Sequence, residues 1–492
     1  MSLGNTIRVG AKWSLFERIN GQVLQFVFGI ALARLLLPTD FGVVVTIQIF
    51  TGLAFMISGG GMGQSLIQAK EVSEKDFQVV FTLQLLIGVA IYLLFFSIAP
   101  WFAVWFDNLL YRDLLRVSAI SFLIRPFANI MTSRLRRDMR FQALSIIGVI
   151  ILLSTGAASI GLAWLREGPW SLILGGLAGG VLNILLLFAV TRWRPGFALD
   201  MQIAKRLGAY GVKVTGNDIL DYFRVQGSNL IVGRMLGPAS LGLYNKALSL
   251  SNMPDVIAGS AYMSLFRGLA TIQDNKDQSK YLYLRTVMLV TVYALPFSVG
   301  LWWLAAPFIS VAYGPAWLAA VEPLKILAVS MLFHCIAAPS GALIAAQNRL
   351  GEELRIQLEC LVLIAVGCII GARWGIVGVS WAMLLSFFYH CLRMVSIANR
   401  CIDGKYSEIW SALQPSVILN GILILALLLA DSLLPNNFAV AYPLYYLLLM
   451  AGIGGLSYSA AFLYMPVKGL ESEVCRWKDR LGLTARRIVP QE

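Results

Sequence analysis

The sequence predicts an all-α polytopic membrane protein with about 14 transmembrane helices, arranged as two six-helix lobes in a parallel repeat plus a C-terminal helix pair. Of its 492 residues, 58% are hydrophobic and only 13% are charged, and the mean hydropathy is +0.74. A soluble domain carries roughly 25% charged residues. This composition excludes a soluble, a disordered, a collagen-like and a disulfide-rich protein.

Apolar runs of about 20 residues, long enough to cross a hydrocarbon core of roughly 30 Å as a helix, recur along the whole chain. The predicted spans are residues 11–36, 41–67, 77–103, 115–133, 142–165, 168–191, 207–233, 239–265, 283–312, 323–346, 356–372, 375–396, 411–433 and 440–465. They form an N-terminal lobe (1–200), a C-terminal lobe (201–405) and an extra helix pair (406–466), followed by a cytoplasmic basic tail (467–492). The outer loops are short, so no extracellular domain is predicted.

The positions of the 39 Lys and Arg residues set the predicted orientation. Cytoplasmic loops retain basic residues, and most of these residues fall in the tail and in alternate loops when the N-terminus is placed inside. Both termini are therefore predicted to be cytoplasmic, and no cleavable signal peptide is visible. The net charge of +13 is spread between apolar runs, so nucleic acid is not a predicted partner. The tail is interpreted as an amphipathic segment on anionic lipid headgroups.

An internal repeat with an offset of 200 residues is visible at two turns. An arginine, a proline and a glycine recur in register, as Arg34, Pro38 and Gly42 in the first copy and Arg234, Pro238 and Gly242 in the second. Because an even number of predicted spans separates the copies, both halves cross the membrane in the same sense. The pattern predicts two lobes related by an axis along the membrane normal, as in one class of secondary transporters. The six residues are interpreted as structural turns.

Nine charged residues fall well inside predicted spans: Glu17, Arg18, Arg125, Lys213, Asp218, Asp221, Arg224, Lys246 and Asp255. Exposing all of them to lipid would cost on the order of 25 kcal/mol. They are therefore expected to face protein or water. A structural alternative stays open for single residues, since Asp221 and Arg224 are spaced to pair on one helix and a long basic side chain near a helix end reaches the membrane surface.

Polar residues also follow one face of the first helix of each repeat. The stripe on the first span is Ser14, Arg18, Gln22, Gln25 and Gly29, and the stripe on the seventh span is Lys213, Asn217, Asp221, Arg224 and Ser228. Spacings of three and four residues keep each set on one side of its helix. Two equivalent helices are thus predicted to present polar faces to a central, hydrated cavity.

Motifs for metal and nucleotide chemistry are missing from the sequence, which has no His-Glu-x-x-His and no glycine-rich loop followed by Lys and Ser or Thr. No catalytic residue, metal or cofactor is predicted. The six cysteines are interpreted as buried small hydrophobic residues. His334 and His390 are lone histidines on apolar helices, for which packing or a local hydrogen bond is favoured over a proton relay.

Three short stretches carry a family likeness: residues 33–42 (ARLLLPTDFG), residues 233–238 (GRMLGP) with 241–244 (LGLY), and residues 272–274 (IQD). With these stretches the sequence resembles the polysaccharide transporter family, the Wzx-type flippases of the multidrug/oligosaccharidyl-lipid/polysaccharide (MOP) superfamily, and most of all its colanic-acid-exporter-like branch. One departure is visible, because Arg267 stands where such proteins often carry a proline before the Gln-Asp pair.

The resemblance implies a secondary-type transporter rather than an enzyme. It would flip an undecaprenyl-diphosphate-linked oligosaccharide repeat unit across the bacterial cytoplasmic (inner) membrane by alternating access, for exopolysaccharide, capsule or O-antigen assembly. The implied partners are this lipid-linked oligosaccharide, membrane lipids and other polysaccharide assembly proteins. No cofactor is implied, and H⁺ or Na⁺ is the implied coupling ion.

The polar residues of the spans take roles within this interpretation. Diphosphate and glycan contacts are assigned to Arg18, Arg125, Lys213, Arg224, Lys246, Gln22, Gln25 and Asn217, since arginines suit forked bonds to phosphate. Charge balance or ion coupling is assigned to Glu17, Asp218, Asp221 and Asp255. The last two spans are expected to border a groove for the lipid tail. Two alternatives remain open: a cation-coupled multidrug exporter of the same superfamily, and a membrane-embedded polysaccharide polymerase or ligase.

Overall fold

The computed structural model describes residues 3–59, 61–69, 71–272, 275–435 and 437–483, and within these ranges the ordered elements are helices, with no β-strand. The all-α prediction is confirmed. The chain divides into two compact units, Met1–Leu243 and Tyr244–Glu492. The lobe boundaries drawn from the sequence stay a prediction.

Helices follow one another with short connections. The first unit contains α1 (Leu3–Leu35), α2 (Pro38–Gly59), α3 (Met62–Gln68), α4 (Glu74–Trp105), α5 (Leu110–Ala119), α6 (Ser121–Arg137), α7 (Phe141–Trp164), α8 (Trp170–Thr191) and α9 (Met201–Met235), and the unit boundary falls within α10 (Gly237–Ser251). The second unit continues with α11 (Asp255–Thr271), α12 (Lys276–Ala312), α13 (Val321–Ala346), α14 (Leu350–Gly371), α15 (Gly375–Cys401), α16 (Tyr406–Ser432), α17 (Phe438–Ala441), α18 (Pro443–Tyr464) and α19 (Glu471–Arg480).

Ten helical segments in the described part of the chain are long and apolar enough to cross a membrane. The prediction of a polytopic membrane protein is confirmed, whereas the number 14 stays a prediction. One of the ten segments, Leu350–Cys401, holds both α14 and α15. These two helices form a hairpin whose ends pack tightly, because a Cβ atom on Gly371 would lie 2.6 Å from the Gly378 carbonyl oxygen.

Three spans that the sequence predicts as continuous are each split into two helices. The span 41–67 breaks after Gly59, and Gly61 has a φ of 60°, which glycine adopts without strain. The span 239–265 breaks before Asp255, where Pro254 precedes the new helix and has no N–H to continue the previous one. The span 115–133 breaks between α5 and α6.

The internal repeat is visible in two ion pairs that are equivalent in position. Lys75 Nζ on α4 lies 2.6 Å from Asp200 Oδ2, just before α9. Lys276 Nζ on α12 lies 2.6 Å from Asp403 Oδ2, just before α16. Each pair joins the start of a long helix to the segment that precedes a later helix, and each lies within its own unit.

The basic tail begins with a helix that docks on α12. Arg285 donates hydrogen bonds to the Gly469 carbonyl oxygen and, at 2.7 Å, to Ser472 Oγ. Trp477 Nε1 donates to the Tyr293 hydroxyl at 2.8 Å. Cys475 is exposed on this helix while the other five cysteines are buried. The interpretation of all six as buried residues was therefore wrong for Cys475, because most side chains of α19 are charged.

Candidate substrate-binding site

Arg125, a residue predicted to bind substrate, lines a cavity of about 330 Å³ inside the first unit. It lies in the second turn of α6, and its guanidinium carbon is 4.3 Å from the centre of the Phe55 ring on α2. Polar side chains from α2, α5, α6 and α8 line the same cavity: Gln48, Thr51, Ser118, Ser121 and Asn183. Arg125 therefore faces a partly polar chamber and an aromatic ring.

Helical spacing explains why these side chains meet. Gln48, Thr51 and Phe55 are three and four residues apart, so they share one face of α2. Gly176 and Gly180 line the opposite wall on α8. A Cβ atom at Gly176 would meet nothing within 4 Å, and at Gly180 its nearest neighbour would be 3.9 Å away. The two glycines leave room for a ligand beside the guanidinium.

Among the described residues, none accepts a hydrogen bond from the guanidinium of Arg125. Across the described ranges, the guanidinium forms the ring contact with Phe55 but no hydrogen bond or ion pair. A half-buried guanidinium that lacks acceptors is costly, because its N–H groups have lost water without replacement. A ligand with phosphate or hydroxyl oxygens would satisfy them, and a phosphate would do so through forked hydrogen bonds.

Lys246, another predicted substrate contact, is held in the second unit by two aromatic rings. Its ammonium nitrogen lies 5.0 Å from the centre of the Tyr313 ring and 6.0 Å from that of Trp317. Both distances are in the range of cation–π attraction. Lys246 is half-buried and packs in the protein interior.

Asp255, predicted to balance charge or to carry an ion, pairs with a histidine. Its Oδ1 lies 2.8 Å from His334 Nε2, and the contact joins the start of α11 to the middle of α13. The local hydrogen bond favoured for His334 is therefore present, and its partner is an acid.

The remaining predicted contacts are less completely described. Gln22 and Gln25 are exposed on α1, and Arg224 is half-buried on α9. The other predicted positions fall on α1 and α9, but the side chains at these positions lie outside the described part of the structure. They are Glu17, Arg18, Lys213, Asn217, Asp218 and Asp221. Their assignment stays a prediction.

Four of the six predicted turn residues lie where one helix ends and the next begins, whereas Gly42 and Gly242 lie inside α2 and α10. In the first copy, α1 ends directly after Arg34, and Pro38 is the first residue of α2. In the second copy, Arg234 is in the last turn of α9, and its guanidinium carbon lies 5.7 Å from the Trp105 ring. Proline fits the first turn of a helix because the N–H that it lacks has no partner there.

An apolar groove runs along the last two long helices, where the sequence predicts a site for a lipid tail. Helices α12, α16 and α18 enclose a volume of about 740 Å³. The lining is almost entirely apolar, with Pro296, Leu301, Leu423, Met450 and Gly455 among its residues, and Trp477 and Leu481 lie at the end next to α19.

Comparison with known proteins identifies the family. A sequence model of the family described as "Polysaccharide biosynthesis protein" matches residues 31–322, which is more than half of the chain. The chain belongs to this family. The likeness to polysaccharide transporters at the two turns is thereby confirmed.

Several curated proteins are similar to this polysaccharide biosynthesis protein. The lipopolysaccharide biosynthesis protein WzxC of Escherichia coli (strain K12) is 23% identical, over 78% of this chain and 79% of that protein. The succinoglycan biosynthesis transport protein ExoT of Rhizobium meliloti (strain 1021) is 26% identical, over 66% of each chain. The teichuronic acid biosynthesis protein TuaB of Bacillus subtilis (strain 168) is 23% identical, over 71% of this chain and 73% of that protein.

Two solved structures show the fold of this polysaccharide biosynthesis protein. The lipid II flippase MurJ, in its inward closed conformation, matches with a TM-score of 0.70 at 17% identity, over 92% of this chain and 98% of MurJ. An inward-facing multidrug resistance MATE family transporter of the MOP superfamily matches with a TM-score of 0.59 at 15% identity, over 78% of this chain and 94% of that one. The fold is that of MOP superfamily transporters.

Sequence reasoning missed the neutral members of the Arg125 chamber in this polysaccharide biosynthesis protein. Phe55, Thr51 and Asn183 carry no charge. They therefore do not stand out in an apolar helix as a costly ionisable residue does. The one signal available was the spacing of Gln48, Thr51 and Phe55 on one helix face. For His334 a hydrogen bond was among the favoured interpretations, but its partner Asp255 was not predicted, because it lies 79 residues away in the sequence.

Proposed function

We propose that this member of the polysaccharide biosynthesis protein family flips undecaprenyl-diphosphate-linked oligosaccharide repeat units across the bacterial cytoplasmic membrane. The translocated units are proposed to be assembled into exopolysaccharide, capsule or O-antigen. The proposed transport mechanism is alternating access, in which the substrate site opens first to one side of the membrane and then to the other. The observation that carries the proposal is the Arg125 guanidinium, which faces a partly polar chamber with no protein acceptor among the described residues.

A lipid-linked oligosaccharide presents the groups that such a chamber accepts. Its diphosphate offers several anionic oxygens to the N–H donors of Arg125, and its sugars offer hydroxyl groups to Gln48, Thr51 and Asn183. Sugar rings also pack against aromatic faces, and Phe55 provides one next to the guanidinium. A purely lipidic or a cationic substrate would leave the donors of Arg125 unsatisfied.

The apolar groove of the second unit fits the other half of such a substrate. A polyprenyl chain has no polar atoms and gains about 25 cal/mol for each Å² that it buries against apolar surface. In the groove it would meet a lining that is mostly apolar, with Leu423 and Met450 among its residues and few polar side chains, such as Ser459.

The remaining charged residues complete the proposal. Arg18, Lys213, Arg224 and Lys246 are proposed to contact the diphosphate or glycan. Glu17, Asp218, Asp221 and Asp255 are proposed to hold these cations or to bind the coupling ion, H⁺ or Na⁺. Both termini are proposed to be cytoplasmic, and other polysaccharide assembly proteins are the proposed protein partners.

Deletion of the gene followed by lipid extraction tests the proposal. We expect undecaprenyl-diphosphate-linked repeat units to accumulate and to resist a membrane-impermeant sugar-oxidising reagent added to spheroplasts, because they stay on the cytoplasmic face. Accumulation of units that the reagent reaches would indicate a polymerase or ligase instead. Drug sensitivity without accumulation would indicate a multidrug exporter, and either result would overturn the proposal.

A further inference from the structure

The His334–Asp255 pair has an unusual hydrogen-bond arrangement inside a membrane-spanning segment. His334 lies near the middle of α13, within the candidate span Pro315–Ala346. Its Nε2 contacts Asp255 Oδ1 at 2.8 Å, and its ring meets Phe387 edge to face at 5.9 Å. Its Nδ1 is fully buried, and no described residue forms a hydrogen bond with it.

The charge state of His334 follows from these contacts. A carboxylate only accepts hydrogen bonds, so the proton of a neutral ring lies on Nε2 and Nδ1 carries a lone pair. A second proton would turn Nδ1 into a buried donor without an acceptor, which is costly. The neutral ring therefore has no unpaired donor, whereas an imidazolium would form an ion pair with Asp255 through Nε2 and would need an acceptor at Nδ1.

Among the titratable groups near α13, Asp255 is the acid that contacts the His334 ring. The groups that face α13 from the packed helices are Asp255 and Tyr262 on α11, Tyr283 on α12, Glu353 on α14 and Cys391 on α15, with Cys335 on α13 itself. Tyr262 and Glu353 lie beside Gly341, and Tyr283 bonds to Ser340 at 2.9 Å. These three groups therefore contact α13 six or seven residues after His334, whereas Cys335 is the next residue of the helix.

We propose that the His334–Asp255 pair is the site where one proton binds and is released in each transport cycle. This inference rests on the proposed function, because it supplies the coupling ion for that transport. The proton comes from water and adds to the neutral imidazole at Nδ1, giving an imidazolium beside the carboxylate, and no other bond forms or breaks. Protonation turns the hydrogen bond between α11 and α13 into an ion pair and adds a donor at Nδ1, which requires the ring to find a new acceptor. Loss of the proton to water restores the contact seen here.

Histidine NMR tests the site without any substrate. The chain has only two histidines, so the His390→Gln variant of the full protein in nanodiscs retains the imidazole of His334 alone. With ¹⁵N-labelled histidine, we expect the signal of the Nε2–H tautomer at high pH and that of an imidazolium at low pH. A signal that keeps one form from about pH 4 to pH 9 would overturn the proposal.

Export measurements separate proton binding from a structural role. Glutamine keeps an N–H that donates to Asp255 but takes up no proton, so a structural contact survives in His334→Gln while coupling does not. We expect at least a tenfold accumulation of lipid-linked units in His334→Gln cells over wild type, and near wild-type levels in His390→Gln cells. Normal export in His334→Gln cells would overturn the proton site and leave the proposed function intact. Absence of accumulation in the deletion strain would instead overturn the proposed function, and the NMR titration would still decide the site.

Discussion

Gly42 packs directly on the backbone of Pro238, and a Cβ atom at position 42 would stand 1.7 Å from the Pro238 carbonyl oxygen. The repeat-related contact has the same form, because a Cβ atom on Gly242 would stand 1.9 Å from the Pro38 carbonyl oxygen. The two copies of the Arg-Pro-Gly turn thus pack on each other reciprocally. Backbone meets backbone at both points, so no side chain is able to move aside.

Replacing either glycine by alanine is expected to destabilise the protein. Gly42→Ala and Gly242→Ala should each cost about 1–3 kcal/mol, the usual cost of forcing extra atoms into a packed interior. The thermal midpoint of the detergent-solubilised protein, followed by size-exclusion chromatography after heating, measures this. Gly161→Ala on α7 is the control, since a Cβ atom there meets nothing within 4 Å. Equal midpoints for Gly42→Ala and Gly161→Ala would contradict the contact.

The repeat was accessible from the sequence, but this contact was not. An offset of 200 residues shows that Gly42 and Gly242 occupy equivalent positions. Equivalence alone does not imply proximity, because two related turns also satisfy the pattern when they are far apart. The packing depends on the glycines lacking side chains on the faces that meet, and that is visible only in three dimensions.

The candidate site also has one part that the sequence predicts and one part that only the structure shows. Arg125 was predictable because a charge in an apolar helix is expensive and demands a partner. The chamber around it was not, since Thr51 and Asn183 are uncharged and stand out less in an apolar helix than a charge does. A glycine and a proline mark the helix breaks next to Gly61 and Pro254. The residues on both sides of each break are apolar, so the sequence predicted one continuous span at each place.

Arg125→Ala is expected to abolish glycan export while the protein still inserts. The variant loses the N–H donors that face the chamber, and Arg125→Lys should restore export only in part because lysine lacks the forked geometry. Surface glycan and accumulated lipid-linked units are measured in the deletion strain carrying each variant. Normal surface glycan in Arg125→Ala cells would contradict the assignment.

Arg116→Ala is a matched control for that experiment. Arg116 belongs to the same unit, and its guanidinium carbon also lies 4.3 Å from a phenylalanine ring, that of Phe96. It does not line the chamber. Its loss removes an equal cation–π contact and an equal charge, so export should stay close to wild type.

Filling the apolar groove is expected to reduce export without unfolding the protein. Gly455 on α18 lines the groove, and a Cβ atom there meets nothing within 4 Å. Gly455→Trp would place an indole in the space proposed for the polyprenyl chain and should lower export at least fivefold. Gly452→Trp is the control, because Gly452 has the same open surroundings on the same helix but does not line the groove. Similar export by the two variants would contradict a substrate role for the groove.

The ion pair of Lys75 with Asp200 predicts a dependence of stability on acid pH. Hydrogen bonding from Lys75, with added hydrogen bonds from the backbone of α9, holds the pKa of Asp200 below its ordinary value of 3.8. The carboxylate therefore stabilises the folded state above that ordinary value, and the contribution is lost as the pH falls through the lowered pKa. The equivalent bond from Lys276 lowers the pKa of Asp403 in the same sense.

Asparagine substitutions isolate the charge in these two pairs. Asn is a good N-cap, so Asp200→Asn keeps the cap of α9 while it removes the ion pair. The double variant Asp200→Asn with Asp403→Asn should have a lower thermal midpoint than wild type at pH 7, and it should lose less stability than wild type between about pH 5 and pH 3. Thermal midpoints of the detergent-solubilised proteins across this range measure the difference.

Parallel pH profiles would show that the two carboxylates contribute nothing through their charge. Additive effects, with each single variant intermediate between wild type and the double variant, would show that the two pairs act independently, as expected for two pairs that each lie within their own unit.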